Sequence, residues 1–209
     1  TGLAMVITNQ AGMLPTKNFQ FGEFKEAVGS IDGDGVLKNR VATKGCYSCM
    51  LPCGQITKDK SGHMIKSPEY ETFALLGSNV GIADFDFVVT ANHLCDDLGL
   101  DTISTGGVIG FAMECFERGI LTKSDTGGLD LTFGNRETIL TLIEDIAHRR
   151  SLGRILSEGV QVAARHIGGD SFKYAIHVKG MELPGYDPRG AFGTYLSYSV
   201  NPRGGCHRR

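Results

Sequence analysis

Tryptophan is absent from this chain, and no apolar run approaches the ~20 residues that a helix needs to cross a bilayer. Neither sign of charge prevails: 21 Lys and Arg stand against 23 Asp and Glu, a formal net charge of −2. That balance argues against a nucleic-acid partner and against a polybasic membrane patch. A signal peptide is not expected from the composition of the first residues. The expectation is a chain with neither a membrane nor a nucleic acid as partner. Cysteine is sparse, six in all, but half of it is grouped as ligands would be rather than spread as pairs. Such grouping predicts a reducing, cytoplasmic setting. Glycine is abundant, 29 of 209 residues, which predicts many tight turns or close approaches of backbone to a ligand. The length suffices to bury a core and to form one domain or slightly more.

Residues 46–53 read Cys-Tyr-Ser-Cys-Met-Leu-Pro-Cys, a C-x-x-C-x-x-x-C run bounded by Gly45 and Gly54. Cysteines this close do not pair comfortably, because a disulfide needs a set Cα separation and orientation. Thiolates wrapped round one soft metal centre tolerate such spacing, since the turn points the sulfurs inward. An iron–sulfur cluster and zinc are the two candidates; each takes four ligands, and Cys46, Cys49 and Cys53 provide three. The order differs from the C-x-x-x-C-x-x-C run of radical enzymes built on S-adenosylmethionine. The plain alternative is three buried thiols in a loop.

Along the chain, residues 1–12 read as a short helix or buried segment ending at Gly12, and Leu14 to Phe19 as extended. Phe24 to Val28 suits one helical turn. Ile31-Asp32-Gly33-Asp34-Gly35 resembles the start of a calcium loop but lacks the ligand-bearing continuation, so a plain turn is expected. Residues 58–66 suggest a hairpin or surface loop. Asp84 reads as the N-cap of a helix stopped by Gly99. Further helices run from about Ser104 to Arg118 and from near Asn135 to His148. Two helical pieces fill 152–167, interrupted at Gly159. Cys95 and Cys115 fall on apolar helical positions and are expected in the core. Residues 174–179 alternate like a strand, and from Gly180 onward glycine and proline argue against long regular elements. The fold class is mainly α-helical with minor strand.

Three further stretches carry candidate chemistry. In Asp96-Asp97-Leu98-Gly99-Leu100-Asp101-Thr102, Gly99 lets the chain reverse and leaves Asp96 and Asp101 on either side of a turn. The helix that follows offers free N–H groups. Carboxylates beside free amides suit a ligand rich in N–H donors and phosphate, such as a pterin; an ordinary capped helix–helix turn is the plain alternative. Glu69 and Glu71 alternate across Tyr70 in what reads as an extended segment. A carboxylate close to Phe73 and Leu75 would have a raised pKa and suit a general base; a surface glutamate is the alternative. Residues 184–190 and 204–207 are loops with polar heads, among them Tyr186 and His207.

These blocks together resemble the tungsten-containing aldehyde ferredoxin oxidoreductases. The resemblance rests on Cys-Tyr-Ser-Cys-Met-Leu-Pro-Cys at 46–53, Pro-Glu-Tyr-Glu-Thr at 68–72 and Asp-Asp-Leu-Gly-Leu-Asp-Thr-Ile-Ser-Thr-Gly at 96–106. It continues through Tyr-Asp-Pro-Arg-Gly at 186–190 and Gly-Gly-Cys-His at 204–207, in the family's order and spacing. The resemblance implies the family's helical-domain fold, a tungsten (or molybdenum) bis-pterin and a [4Fe–4S] cluster. By position, Cys46, Cys49 and Cys53 would bind the cluster. Asp96, Leu100 through its backbone, and Asp101 would contact one pterin, with Arg209 as a basic contact. Glu71 and His207 would stand beside the metal, and Tyr186 resembles a substrate-pocket tyrosine.

The implied reaction takes a small aldehyde to its carboxylic acid with ferredoxin as electron acceptor, in a full-length protein that is a candidate homodimer. Residues 1–175 would form the first helical domain with the cysteine loop, and 176–209 the start of the second. The family's N-terminal β-domain and its fourth cluster cysteine would lie outside this stretch, so the chain reads as a piece of a longer protein, and the isolated fragment is expected to be inactive. A related carboxylate-reducing or aromatic-ring-reducing tungsten enzyme is the rival reading. A zinc-binding structural module, with His63 or His207 as fourth ligand, belongs to a different class.

Overall fold

Helix caps and apolar spacing divide about half of this chain into helices. The computed structural model describes residues 2–59 and 61–208. Arg209, expected to touch a pterin, lies outside the described residues. Helix α1 (Gly2–Gln10) packs on α2 (Gly33–Asn39). The Asp32 carboxylate caps α2, accepting the amides of Asp34 and Gly35 at 3.1 and 3.3 Å. The calcium-like stretch is therefore a helix start, and the helix itself was not foreseen.

Strands β1 (Ala42–Lys44), β2 (Gly54–Lys58) and β3 (Met64–Lys66) form an antiparallel sheet in that order. The expected hairpin is β2–β3, and the cysteine loop joins β1 to β2. Most of this sheet is exposed; Thr57 is buried and ties it to the body by donating its hydroxyl to the Asn39 carbonyl at 2.9 Å.

Helices α3 (Tyr70–Leu75), α4 (Phe85–Leu98), α5 (Thr102–Glu117) and α6 (Arg136–His148) make the body. Asp84, Asp101 and Asn135 each cap a helix, accepting the amides of Phe87, Ser104 and Thr138 at 2.8, 2.8 and 3.3 Å. Gly99 ends α4 in the left-handed region, φ 69°, as its position suggested. The core gathers Phe73, Leu75, Leu76, Ile109, Phe111, Met113, Leu142 and Ile143, all fully buried. Cys95 and Cys115 lie within it as expected, and burial pushes both thiols up to about 12. Helix α5 meets α3 closely at Gly106, where a Cβ would stand 2.5 Å from the Leu75 carbonyl oxygen.

Short helices α7 (Gly153–Leu156) and α8 (Val160–Ile167) follow, parted at Gly159 as predicted. The hairpin β4 (His177–Val178) and β5 (Met181–Glu182) leads to α9 (Phe192–Val200). The mainly helical class is observed, and no single helix among the described residues is long and apolar enough to cross a membrane.

Four local expectations are corrected. Residues 17–19 are not extended: Lys17, Asn18 and Phe19 take φ of 49, 54 and 61°. Long-range bonds overrule the local preference there, since Lys17 and Asn18 donate their amides to the carbonyls of Ser78 and Asn79. The strand expected over 174–179 shrinks to two residues, because a 3-10 helix occupies Gly169–Tyr174. Beyond Gly180, nine residues are helical, bracketed by Pro188 and Pro202 rather than broken by them. Finally, Glu69 and Glu71 do not alternate along a strand; Glu69 precedes α3 and Glu71 lies in its first turn.

Candidate active site

The helical setting of Glu71 gives the two glutamates different environments. Glu69 is 47% exposed and pairs with Lys66 Nζ at 3.3 Å. Glu71 is 14% exposed, and its Oε2 accepts the Gly185 amide at 2.6 Å. Its Oε1 is buried without a hydrogen-bond partner among the described residues and lies 3.5 Å from His207 Nε2. Burial pushes the Glu71 carboxyl up to about 7; the Gly185 amide and Arg208 pull against it, and Asp101 adds to the rise. Burial first, and Arg208 second, hold His207 below its ordinary value. Distance alone would permit an ion pair here, but burial disfavours both charges. The pair therefore reads as a carboxyl that is only partly ionised near pH 7 beside a neutral imidazole.

Gly185 locks this corner from both sides, because its carbonyl also accepts the Tyr70 hydroxyl. Only glycine fits, as a Cβ would stand 2.6 Å from Ala74 Cβ. Tyr186, the next residue, places its ring 4.9 Å from Tyr70 and 6.0 Å from His207. Burial, then the Glu71 charge, raises the Tyr186 hydroxyl above its ordinary range.

Two cavities flank Asp101. One, of about 260 Å³, is lined by Asp101, Ser104, Glu182, Arg203, His207 and Arg208 among others. The second, of about 320 Å³, shares Asp101, Ser104 and Glu182 and adds Leu100 and Glu158. A larger hollow, about 530 Å³, lies against Phe21, Lys25 and Arg189 and includes none of the expected site residues. Asp96 is exposed on α4, accepts Asn92 Nδ2 at 3.1 Å and lines neither of the two cavities beside Asp101.

Cys46, Cys49 and Cys53 are exposed and free, in a turn where Ser48 takes φ 57° and the Cys49 amide reaches the Cys46 carbonyl. Among the described residues, no three His, Cys, Asp or Glu side chains converge on a position that would hold a metal ion. The donor set still suits an iron–sulfur cluster, with three accessible thiols within eight residues. The orphaned Glu71 oxygen and the polar cavities at Asp101 suit a polar ligand rich in hydrogen-bond donors.

Glu71, Tyr186, His207 and Asp101 thus share one region, with Leu100 on its far wall. Residues that sequence reasoning passed over stand with them. Arg208 follows His207 directly, a signal that adjacency could have supplied. Ser104 lies in the 96–106 block without being singled out there, and Glu182 carries no motif; only folding brings the two together.

Comparison with known proteins covers the whole chain. The family described as aldehyde ferredoxin oxidoreductase, domains 2 & 3, matches residues 1–209. The tungsten-containing aldehyde ferredoxin oxidoreductase of Thermococcus kodakarensis is 42% identical over 208 residues, covering 99% of this chain and 34% of that protein. An aliphatic sulfonate oxidoreductase, WOR-like subunit, of Pyrococcus furiosus is 37% identical over 171 residues, 77% of this chain and 27% of that protein. In fold, the chain resembles the active site complex BamBC of benzoyl coenzyme A reductase in complex with 1,5-dienoyl-CoA, with a TM-score of 0.74 at 24% identity. That match covers 96% of this chain and 31% of the other. The chain spans about a third of the length of the curated aldehyde oxidoreductases it matches.

Proposed function

The chain belongs to the aldehyde ferredoxin oxidoreductase family, and on that premise we propose that it is part of an enzyme oxidising small aldehydes to carboxylic acids, with ferredoxin as the electron acceptor. The balance is aldehyde plus water giving carboxylic acid, two electrons and two protons. A tungsten (or molybdenum) bis-pterin, with Asp101 and the Leu100 backbone as contacts, would accept the electron pair, and a [4Fe–4S] cluster on Cys46, Cys49 and Cys53 would relay single electrons. Asp96, exposed on α4, enters as a further pterin contact on the strength of the sequence resemblance alone. In this reading residues 1–175 are the first helical domain and 176–209 the start of the second.

The observation that carries the proposal is the state of Glu71. Its free Oε1 is buried beside His207, and its pKa near 7 leaves it able both to take and to return a proton at neutral pH. Glu71 Oε1 takes a proton from the attacking water. His207, neutral and in the tautomer that carries its proton on Nε2, hydrogen-bonds the aldehyde oxygen and steadies the charge that gathers there. Gly185 keeps the other Glu71 oxygen occupied, so the proton transfers at a defined atom. Tyr186 forms an aromatic wall against His207 and limits the room for the aldehyde.

Glu71→Gln in the full-length protein tests this. Turnover of a short aldehyde should fall by at least about 100-fold with metal content unchanged, the scale on which general-base loss is felt. Unchanged turnover refutes the role.

A further inference from the structure

Glu182 is a carboxylate to which nothing above assigns a role, yet it is among the most fully enclosed in the chain, 5% exposed. Its two oxygens are engaged separately. Oε1 accepts the Val160 amide, the first of α8, at 2.6 Å, and Oε2 accepts the Ser104 hydroxyl in the first turn of α5 at 3.0 Å. The space it occupies is made by two glycines. A Cβ at Gly107 would lie 3.1 Å from Glu182 Cγ, and one at Gly159 3.1 Å from Oε1. The side chain lines both cavities that flank Asp101.

What it joins is more telling than its burial. The same Ser104 donates its amide to the Asp101 carboxylate at 2.8 Å. Three residues along the chain from Glu182, the Gly185 amide holds Glu71 at 2.6 Å. Glu182 therefore bridges the turn that presents Asp101 and the strap that fixes Glu71, alongside the Thr72 and Thr102 hydroxyls, which join the same turn to Glu71's own helix at 3.0 Å. A buried carboxylate is costly to hold unless its oxygens are satisfied, and here each oxygen is satisfied by an element of the site's frame.

We propose that Glu182 is a positioning residue of this site, setting the separation between the Asp101 turn and the Glu71 strap through Ser104 and the α8 amide. The inference rests on the active-site reading above but concerns a different residue. The bonding is one of geometry rather than charge. A glutamine can accept the Val160 amide with its oxygen and donate its NH₂ to the Ser104 oxygen, whereas an alanine makes neither bond.

The test uses the full-length, cofactor-loaded enzyme with Glu182→Gln and Glu182→Ala, together with amide hydrogen exchange on the same proteins. Glu182→Ala should lower kcat per bound metal about 10-fold or more, with KM for a short aldehyde changed less than 2-fold. It should also speed exchange at the Gly185 and Ser104 amides ahead of the α6 core. Glu182→Gln should stay within about 3-fold of the parent and keep those amides protected. The proposal is overturned if Glu182→Ala keeps its kcat per metal, if exchange rises evenly through the protein, or if Glu182→Gln is as impaired as Glu182→Ala. Failure of the active-site reading would show separately, as full turnover in Glu71→Gln, and the exchange pattern at Gly185 and Ser104 would still decide the part played by Glu182.

Discussion

Glu71 Oε1 and His207 Nε2 stand 3.5 Å apart, and burial drives the carboxyl upward and the imidazole downward in pKa. A carboxyl whose pKa rises from 4.5 to about 7 on folding holds more protons in the native state than in the unfolded one across that window. Its contribution to stability is complete below 4.5 and is lost as pH climbs through 7. The size is on the order of 3 kcal/mol, at about 1.36 kcal/mol for each unit of pKa.

Glu71→Gln removes this dependence while its amide oxygen can still accept the Gly185 N–H. The variant should match the parent in unfolding free energy near pH 4.5 and exceed it increasingly as pH climbs through 7, above which the gap levels off. Urea unfolding at pH 5 and pH 8 checks this; a constant gap between the two proteins would contradict it. His207 acts in the opposite sense, its contribution being present above its ordinary value and lost as pH falls.

Asp101 serves α5 as a cap and is proposed to serve a pterin as a contact, and two substitutions separate the roles. Asp101→Ala should cost about 1 kcal/mol through the lost bond to the Ser104 amide. Asp101→Asn keeps a capping oxygen and should unfold at the parent's temperature, yet retain less pterin per polypeptide. Equal pterin content in Asp101→Asn and parent would confine Asp101 to its helix.

The cysteine loop distinguishes iron from zinc by colour. Full-length protein purified without oxygen should be brown, with iron and sulfide. Cys49→Ser should lose that absorption and much of the iron while keeping its tungsten. A colourless parent containing zinc would return the loop to a structural module.

Gly99 and Gly106 should respond to alanine by different amounts for different reasons. Gly99 has φ 69° and open space around the missing Cβ, so Gly99→Ala carries only the left-handed penalty, about 1 kcal/mol. At Gly106 the added carbon would meet the Leu75 carbonyl at 2.5 Å, and pushing α5 from α3 should cost more, about 1–3 kcal/mol. Thermal unfolding of the two variants ranks them; a reversed order would mean that the α3–α5 contact yields easily.

Much of this site was legible before folding. Asp84 and Asn135 announced helix starts because a capping oxygen needs only the amides two or three residues ahead, while α5, expected from about Ser104, begins at Thr102 under the Asp101 cap. Gly99 and Gly159 marked breaks for an equally local reason, the freedom of a residue without Cβ. The left-handed run at residues 17–19 was hidden, since its cause lies in carbonyls at Ser78 and Asn79. Helix α9 was hidden by its glycine- and proline-rich surroundings.

The chain's own order of residues was enough to establish several of its helix boundaries, its three clustered thiols and its family, since each depends on neighbours close in sequence or on the spacing of short blocks. The family resemblance had already set Glu71 and His207 together; only the tertiary structure decided that Glu71 is buried while Glu69 is exposed, that His207 stands 3.5 Å from Glu71, and that Glu182 ties Asp101's turn to Gly185's strap. Those outcomes depend on desolvation and on bonds between segments far apart along the chain, and such terms acquire a value only once the backbone has closed around them.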